Sequence, residues 1–476
     1  MIRNTLPIIL TIICLAGCTL APSYTRPTPP IPAEWPTGPA YKGTGDGPND
    51  QTAVEIGWRE FYTDEKLQKV ISLALGNNRD LRVAALNIER ARAIYGIRRA
   101  ELFPTINASG YLIEQRIPAD ISTESGEATH FKQYSANLGL SSWELDFFGR
   151  IRSLQDQALE EYLATEQARR SAQIALIAEV ANTFLSYAAD RESLKLAEDT
   201  LQSQEASYQL IERRFRVGVS NEVDLRQAQT RVEAAKRDIA LNTSRVAKDE
   251  NALALLVGAP VPAELLPAQL ITDTALTDIT IGLSSEQLLK RPDILQSEHQ
   301  LKAANANIGA ARAAFFPRIA LTSNIGTTSD ELSRLFKAGS NAWLFAPQII
   351  MPIFDARLWS ALKGIKVERE IALAQYEKAI QAAFREVADA LAQKGTMEDQ
   401  LTAQQSLVVA TAQTYRLSDA RYTRGIDSYL PVLDAQRSLY IAQQVLITLR
   451  LVKLTNLVTL YKVLGGGGDS APDSSR

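Results

Sequence analysis

Histidine, cysteine and methionine, the side chains that most often carry metal or redox chemistry, are scarce here. Of 476 residues, two are His, two are Cys and three are Met. His130 is expected in a loop joining two strands and His299 on a helix. Neither has a neighbour at metal-ligand spacing, so both read as incidental surface residues and no metal site is expected. Gly43-Thr-Gly45-Asp-Gly47 has the letters of a phosphate loop, but it follows no strand and opens no helix. Asp146-Phe-Phe148-Gly149 has the letters of a kinase signature without the accompanying lysine or catalytic loop. Arg291-Pro292-Asp293 puts proline in the first turn of a helix beside an acidic residue, a helix-start device that requires no chemistry. No nucleophile is set beside a base, so the chain is not expected to be an enzyme.

The cysteines carry a different chemistry. Residues 1–17 hold one cation, Arg3, an apolar run from Leu6 to Leu15, and small residues before Cys18, the layout of a secretory signal peptide. Leu15-Ala16-Gly17-Cys18 resembles the bacterial lipobox, in which the thiol receives diacylglycerol and the new amino terminus is acylated. Covalent lipid on Cys18 is therefore expected, and no cofactor. Cys14 leaves with the leader, so no intrachain disulfide can form. Arg3, one of 51 cationic residues against 54 acidic ones, also leaves, and the mildly acidic mature chain has no bulk attraction for nucleic acid. With 46% apolar and 22% charged residues the chain can bury an ample core. Beyond the leader no stretch approaches the ~18 uninterrupted apolar residues of a spanning helix, so any membrane crossing is expected to be a β-barrel.

The elements around these residues occur twice. Shifting residues 179–258 by about 207 positions brings matching residue types together over roughly 80 positions, far beyond ordinary repeat lengths. Tyr208 falls on Tyr415, Phe215 on Tyr422, Gly218 on Gly425, Gln229 on Gln436 and Gly258 on Gly465. Arg99 to Pro104 recurs as Arg312 to Pro317. The organisation read from this is a lipidated tether over 18–60, a first repeat over 61–260, a connector over 261–284, a second repeat over 285–465 and a disordered tail over 466–476. In each repeat a period of two follows the proline. Ile106, Ala108, Gly110 and Leu112 face one way and Asn107 and Ser109 the other, with a return strand from Tyr134 to Phe147 whose alternation slips near Trp143. Ile319, Leu321, Ser323 and Ile325 repeat the pattern, and Trp343 to Phe354 supplies the fourth strand. Strands of about ten residues are long enough to cross a bilayer when tilted.

Between the strands lie helical stretches of unusual length. From Arg150 to Phe215 there is neither proline nor glycine, enough for a helix on the order of 100 Å. Leu194, Ala197, Leu201, Gln204, Tyr208, Ile211 and Phe215, then Leu225, Ala228, Val232, Ala235, Ile239 and Val246, follow coiled-coil spacing. The turns between these helices carry glycine at equivalent places, Val217-Gly218-Val219 and Arg424-Gly425-Ile426, where a reversal needs positive φ. The fold class is mixed α and β, mainly α, with an internal tandem duplication. Four strands cannot close a barrel; eight would fill with side chains, and twelve, from three chains, would leave a conducting interior.

In combination, the lipobox, Arg291-Pro-Asp293, Ala310 to Pro317, Trp143-Glu-Leu-Asp146-Phe-Phe-Gly149-Arg150, and Arg421-Tyr-Thr-Arg-Gly425 leading to Leu433-Asp434-Ala435-Gln436-Arg437 resemble the TolC family of outer-membrane factors, and within it the OprM-like lipoprotein branch of tripartite efflux systems. The resemblance covers nearly the whole mature chain. It implies a homotrimer with a long coiled-coil helical tunnel in the periplasm and a shared transmembrane β-barrel in the cell outer membrane, four strands per chain. It also implies a periplasmic adaptor and an inner-membrane efflux pump as partners, and a passive exit duct for drugs and other small toxic molecules. An export duct for polypeptides or metal ions and a structural trimeric envelope lipoprotein are the alternatives. By resemblance Val217, Gly218, Val219, Arg424, Gly425 and Ile426 are adaptor-docking tips, and Leu430 and Asp434 narrow the periplasmic gate. Tyr422 and Asp224 match a pair that latches neighbouring helices in TolC. The chain departs from TolC at Asp427, where TolC has arginine, and at Pro431, where TolC has a second aspartate.

Overall fold

A computed structural model describes residues 19–42, 53–120, 128–271, 276–277 and 285–468. Cys18 and the signal peptide lie outside the described residues. The elements run α1 Trp58–Phe61, α2 Glu65–Asn77, α3 Arg79–Ala100, β1 Ile106–Ile117, β2 Thr129–Leu145, α4 Arg150–Arg216, α5 Glu222–Val257, α6 Pro292–Ala313, β3 Arg318–Ser329, β4 Asn341–Ile350, α7 Ala356–Thr423 and α8 Leu430–Val463. The order α3-β1-β2-α4-α5 recurs as α6-β3-β4-α7-α8. The two longest helices, α4 and α7, have 67 and 68 residues, long because nothing in them breaks the backbone ladder. The described residues form two compact units, one drawn from those within 19–28, 87–165 and 296–376, the other from those within 29–86, 166–295 and 377–468.

The first unit contains the sheet, four antiparallel strands in the order β1-β2-β3-β4. Its register aligns the two side-chain types into rows. Ile106, Leu140, Ser323 and Phe345 are cross-strand neighbours, as are Ala108, Leu138, Ile325 and Trp343. On the other face stand Asn107, Gly139 and Asn324, and Tyr111, Ser135 and Thr328. One face is thus mostly apolar and the other mostly polar. The slip near Trp143 is a β-bulge: Ser141 and Ser142 oppose the single residue Thr322, with Ser142 at φ 54° and its N–H donating to the Thr322 hydroxyl. The extra residue rephases the strand, returning Trp143 to the apolar face opposite Leu321. The fourth strand ends at Ile350, short of the expected Phe354, with Pro352 just beyond. His130 lies in β2 opposite Arg116, not in the connecting loop.

Where β2 becomes α4, two carboxylates fix the turn. Glu144 accepts both nitrogens of Arg150 at 2.7 and 2.8 Å and is also paired with Arg318 at 2.6 Å. Asp146 accepts the backbone N–H and the guanidinium of Arg152, which places a carboxylate at the start of a helix. His299 is a partner and not a bare surface group, its Nδ1 lying 2.6 Å from Glu160.

Of the expected tether, residues 19–42 have no helix and are laid against folded structure, whereas residues 53–60 belong to the folded body, with Ala53, Ile56 and Trp58 buried and α1 starting at Trp58. In the first unit Arg312 donates to the Leu20 carbonyl and Asn305 to the Pro22 carbonyl. Gly309 lets it approach, for a Cβ there would stand 2.7 Å from the Ala21 nitrogen. Arg26 and Tyr24 both donate to Glu298, a 3% exposed carboxylate also paired with Lys302. Burial would raise the Glu298 carboxyl, but the bonds from Arg26 and Lys302 outweigh it and hold it below the usual range. In the second unit Ser285 donates to the Pro32 and Ala33 carbonyls, and Trp35 stacks on Phe384 at 5.2 Å.

The core of the second unit is built around Phe61 stacked on Tyr461 at 3.9 Å, with the Tyr461 hydroxyl donating to the Ile56 carbonyl. Arg291, buried, donates to the Val463 carbonyl at the end of α8 and pairs with Asp293 and Glu386. The tail differs from expectation: residues 466–468, assigned to a disordered segment, form an ordered turn. Gly465 and Gly467 have φ 87° and 89°, and a Cβ on Gly466 would sit 2.2 Å from the Tyr461 ring. Residues 469–476 lie outside the described residues. Helix α8 is long and apolar enough, by length and mean composition, to cross a membrane, although Gln443, Gln444, Arg450, Lys453 and Asn456 interrupt its apolar residues. Leu454, Val458, Leu460 and Tyr461 on it are nevertheless buried in this unit. The seam residues Ala197, Gln204, Ile211, Leu225, Ala228, Val232 and Ala235 are buried as their spacing requires, while Phe215 at the helix end is exposed.

Asp190 on α4 and Asp249 on α5 form a carboxylate pair. Burial first, and then Asp190, push the Asp249 carboxyl up to about 6, partly offset by Arg245. A carboxyl with a raised folded-state value binds its proton more tightly when folded, so stability falls as pH rises from the unfolded value of about 3.9 through about 6. Asp249→Asn is expected to remove that fall. The variant's unfolding midpoint should exceed the wild-type value at pH 7.5 and match it at pH 4, and equal differences at both would refute the shared-proton account.

Candidate functional site

The two turns between long helices belong to the second unit. At the first, the Gly218 and Val219 N–H groups bond the Phe215 and Arg214 carbonyls at 2.9 and 2.8 Å. At the second, Gly425 and Ile426 bond Tyr422 and Arg421 in the same pattern at 2.9 and 3.0 Å. The glycines have φ 79° and 74°, the left-handed closure that ends a helix without a Cβ penalty. Val217, Val219 and Ile426 are exposed beside them. The duplicated sequence therefore yields duplicated hairpins.

A shared core shows that both hairpins end at the same place. Ile211 from α4, Leu225 and Ala228 from α5, and Tyr429, Val432 and Leu433 from the start of α8 form one buried cluster, with Tyr208, Tyr415 and Tyr422 against it. The Tyr422 and Tyr429 rings are 5.0 Å apart, and the Arg214 guanidinium lies 4.9 Å from the centre of the Tyr422 ring. Burial above all pushes the Tyr429 phenol up to about 12.

Leu430 is 59% exposed, and Asp434, one turn on, is exposed on the same side of α8. Asp434 pairs with Arg437, a local neutralising contact that the sequence reading did not include. Asp224 accepts the Ser220 hydroxyl at 3.2 Å, and its N–H bonds the Asn221 side chain. Within one chain it is not joined to Tyr422, which packs on the tyrosine cluster instead. Asp427, where the chain departs from TolC, pairs with Arg421 across the turn; that hydrogen bond holds its carboxyl below the usual aspartate range. The site thus comprises two exposed apolar tips and an exposed leucine and carboxylate, all mounted on one aromatic core. Sequence reasoning missed Tyr429 and Arg437. Among the described residues no cluster of His, Cys, Asp and Glu has metal-site geometry.

A sequence profile described as outer membrane efflux protein matches residues 70–259 and 283–466. The chain belongs to this family. The match falls in two segments that follow the two structural repeats. The toluene efflux pump outer membrane protein TtgC of Pseudomonas putida is 50% identical over 469 residues, covering 98% of this chain and 96% of that protein. The antibiotic efflux pump outer membrane protein ArpC of Pseudomonas putida matches with the same identity and coverage. Among solved structures, the open state of the Neisseria gonorrhoeae MtrE outer membrane channel is 37% identical with a TM-score of 0.85, covering 94% of this chain and 98% of that one. The family places the chain in the outer membrane as an efflux channel protein. It is a family of channels, not of enzymes.

Valine at a φ near 75° is strained by about 1–3 kcal/mol, while the space around both glycines is open. Gly218→Val and Gly425→Val should therefore loosen their own hairpins without a steric clash. Faster amide exchange confined to the altered tip is the expected result, and spread of the effect to the sheet would contradict it.

Proposed function

We propose that three copies of this chain form a passive outer-membrane exit duct for small toxic molecules, completed on the periplasmic side by an adaptor and an inner-membrane pump. The observation that carries this is the sheet: β1 and β4 are its two edges, one face is mostly apolar and the other mostly polar. Backbone groups in lipid must all be paired within protein, so the edges call for further strands. Three copies supply twelve, with the apolar rows toward lipid and the Asn, Ser and Thr rows toward an aqueous lumen. Exposed apolar residues on the helices, among them Ile94, Ile97, Leu241, Leu407, Val409 and Val445, suit burial against neighbouring copies.

Both tips, Val217 to Val219 and Arg424 to Ile426, offer exposed small apolar residues beside arginines, a surface suited to an adaptor. The cargo reading draws on relatives named for toluene and for antibiotics. Cys18 is the proposed lipid attachment point, and because the barrel supplies its own membrane affinity the acyl chains add an anchor of about 0.8 kcal/mol per buried CH₂. An unmodified mature N-terminus in a mass spectrum would rule the lipid out.

Leu430 and Asp434 would converge from three chains as the narrowest ring of the entrance. Planar-bilayer recording of the purified protein tests the duct. Leu430→Ala is expected to raise single-channel conductance and Asp434→Ala to weaken cation preference. A protein that never conducts would refute the channel reading, and two silent variants of a conducting protein would put the constriction elsewhere.

A further inference from the structure

The duplication makes the start of α5 a built-in comparison for the start of α8. The shift that pairs Gly218 with Gly425 also pairs Glu222 with Tyr429, Val223 with Leu430 and Gln227 with Asp434. Val223 is as exposed as Leu430, so the first turns of the two helices present an apolar side chain in the same way. They are held differently. On α5 the Asn221 side chain accepts the Asp224 N–H at 2.8 Å, an ordinary N-cap. On α8 the cap residue is Tyr429, which makes no side-chain cap bond, and Pro431 removes a backbone donor from the first turn. What that turn has instead is burial. Tyr429 is 3% exposed, and Tyr429, Val432, Leu433 and Gln436 all face inward while Leu430, Asp434 and Arg437 face out.

We propose that Tyr429 is the positioning residue of the entrance: its ring, anchored between α4 and α5 through Ile211, Leu225 and Ala228, stands in for the missing cap and fixes the rotation of the first turn of α8. That rotation sets the direction of Leu430 and Asp434, so the aperture depends on a side chain that never reaches the lumen. Aromatic burial is among the largest single contributions a side chain makes, and here it acts on a turn that lacks the polar closure of its counterpart. The inference rests on the entrance assigned above.

Bilayer recordings of full-length Tyr429→Ala, Tyr429→Leu and Tyr429→Phe test it, with Leu454→Ala, a buried residue further along α8, as the packing control. Tyr429→Ala should raise conductance and weaken cation preference, Tyr429→Leu should do so to a smaller degree, and Tyr429→Phe, which keeps the ring, should record as wild type. Leu454→Ala should lower the thermal midpoint without changing conductance. If Tyr429→Ala does not assemble, Tyr429→Leu carries the test. Wild-type recordings from the Ala and Leu variants, beside a raised conductance in Leu430→Ala, would overturn the role of Tyr429 and leave the entrance standing. An equal rise in Leu454→Ala would reduce the effect to general loosening. Silence in Leu430→Ala and Asp434→Ala would instead remove the entrance reading itself.

Discussion

A strand edge in lipid has nowhere to send its hydrogen bonds. That constraint governs the rest of the molecule, because β1 and β4 each leave a row of backbone donors and acceptors with no partner in their own sheet. Water cannot answer them at membrane depth, and a four-stranded sheet is too narrow to curl onto itself. The proposed three copies and the lumen between them both follow from closing those edges. The same constraint explains why one face is mostly apolar and the other mostly polar. A barrel has two solvents, and the bulge at Ser141 and Ser142 keeps Trp143 on the correct one.

The passage from strand to helix is the second point of control. A strand rises about twice as far per residue as a helix, so the chain must be redirected over a few residues. Glu144 and Asp146, with Arg150, Arg152 and Arg318, do this with charge-assisted hydrogen bonds. Exposed ion pairs contribute little, but both carboxylates are largely buried. Their geometry therefore sets the path of the chain more firmly than surface pairs could.

Much of this was legible in the residues. Period two after Pro104 and Pro317 marked the strands, the break in alternation near Trp143 marked the bulge, and the long run free of Gly and Pro marked α4. Local spacing encodes these features directly. What was not legible depends on contacts between segments distant in sequence. Gly466 to Gly468 read as a flexible tail by composition, yet at Gly466 the Tyr461 ring leaves no room for a side chain and Gly467 takes a positive φ. Asp190 and Asp249 lie on different helices, and only the register of α4 against α5 brings them together. Tyr429 was hidden for another reason: it matches no capping pattern, because it replaces a cap by burial. The tips and the gate residues were found through resemblance and duplication, and the pairing of Asp434 with Arg437 and of Asp427 with Arg421 only through geometry.

The extended segment after Cys18 is gripped at Leu20, Pro22, Pro32 and Ala33 through its own carbonyl groups, with Arg312, Asn305 and Ser285 of the folded body as donors. Every amino acid brings a carbonyl. At these four stations the route of the segment is therefore dictated by the surface beneath it and is indifferent to which side chains pass over it. Thr19, Tyr24, Arg26, Trp35 and Lys42 are held by their own side chains, and the stretches between them are open to drift in sequence while the start of the described segment keeps a fixed address.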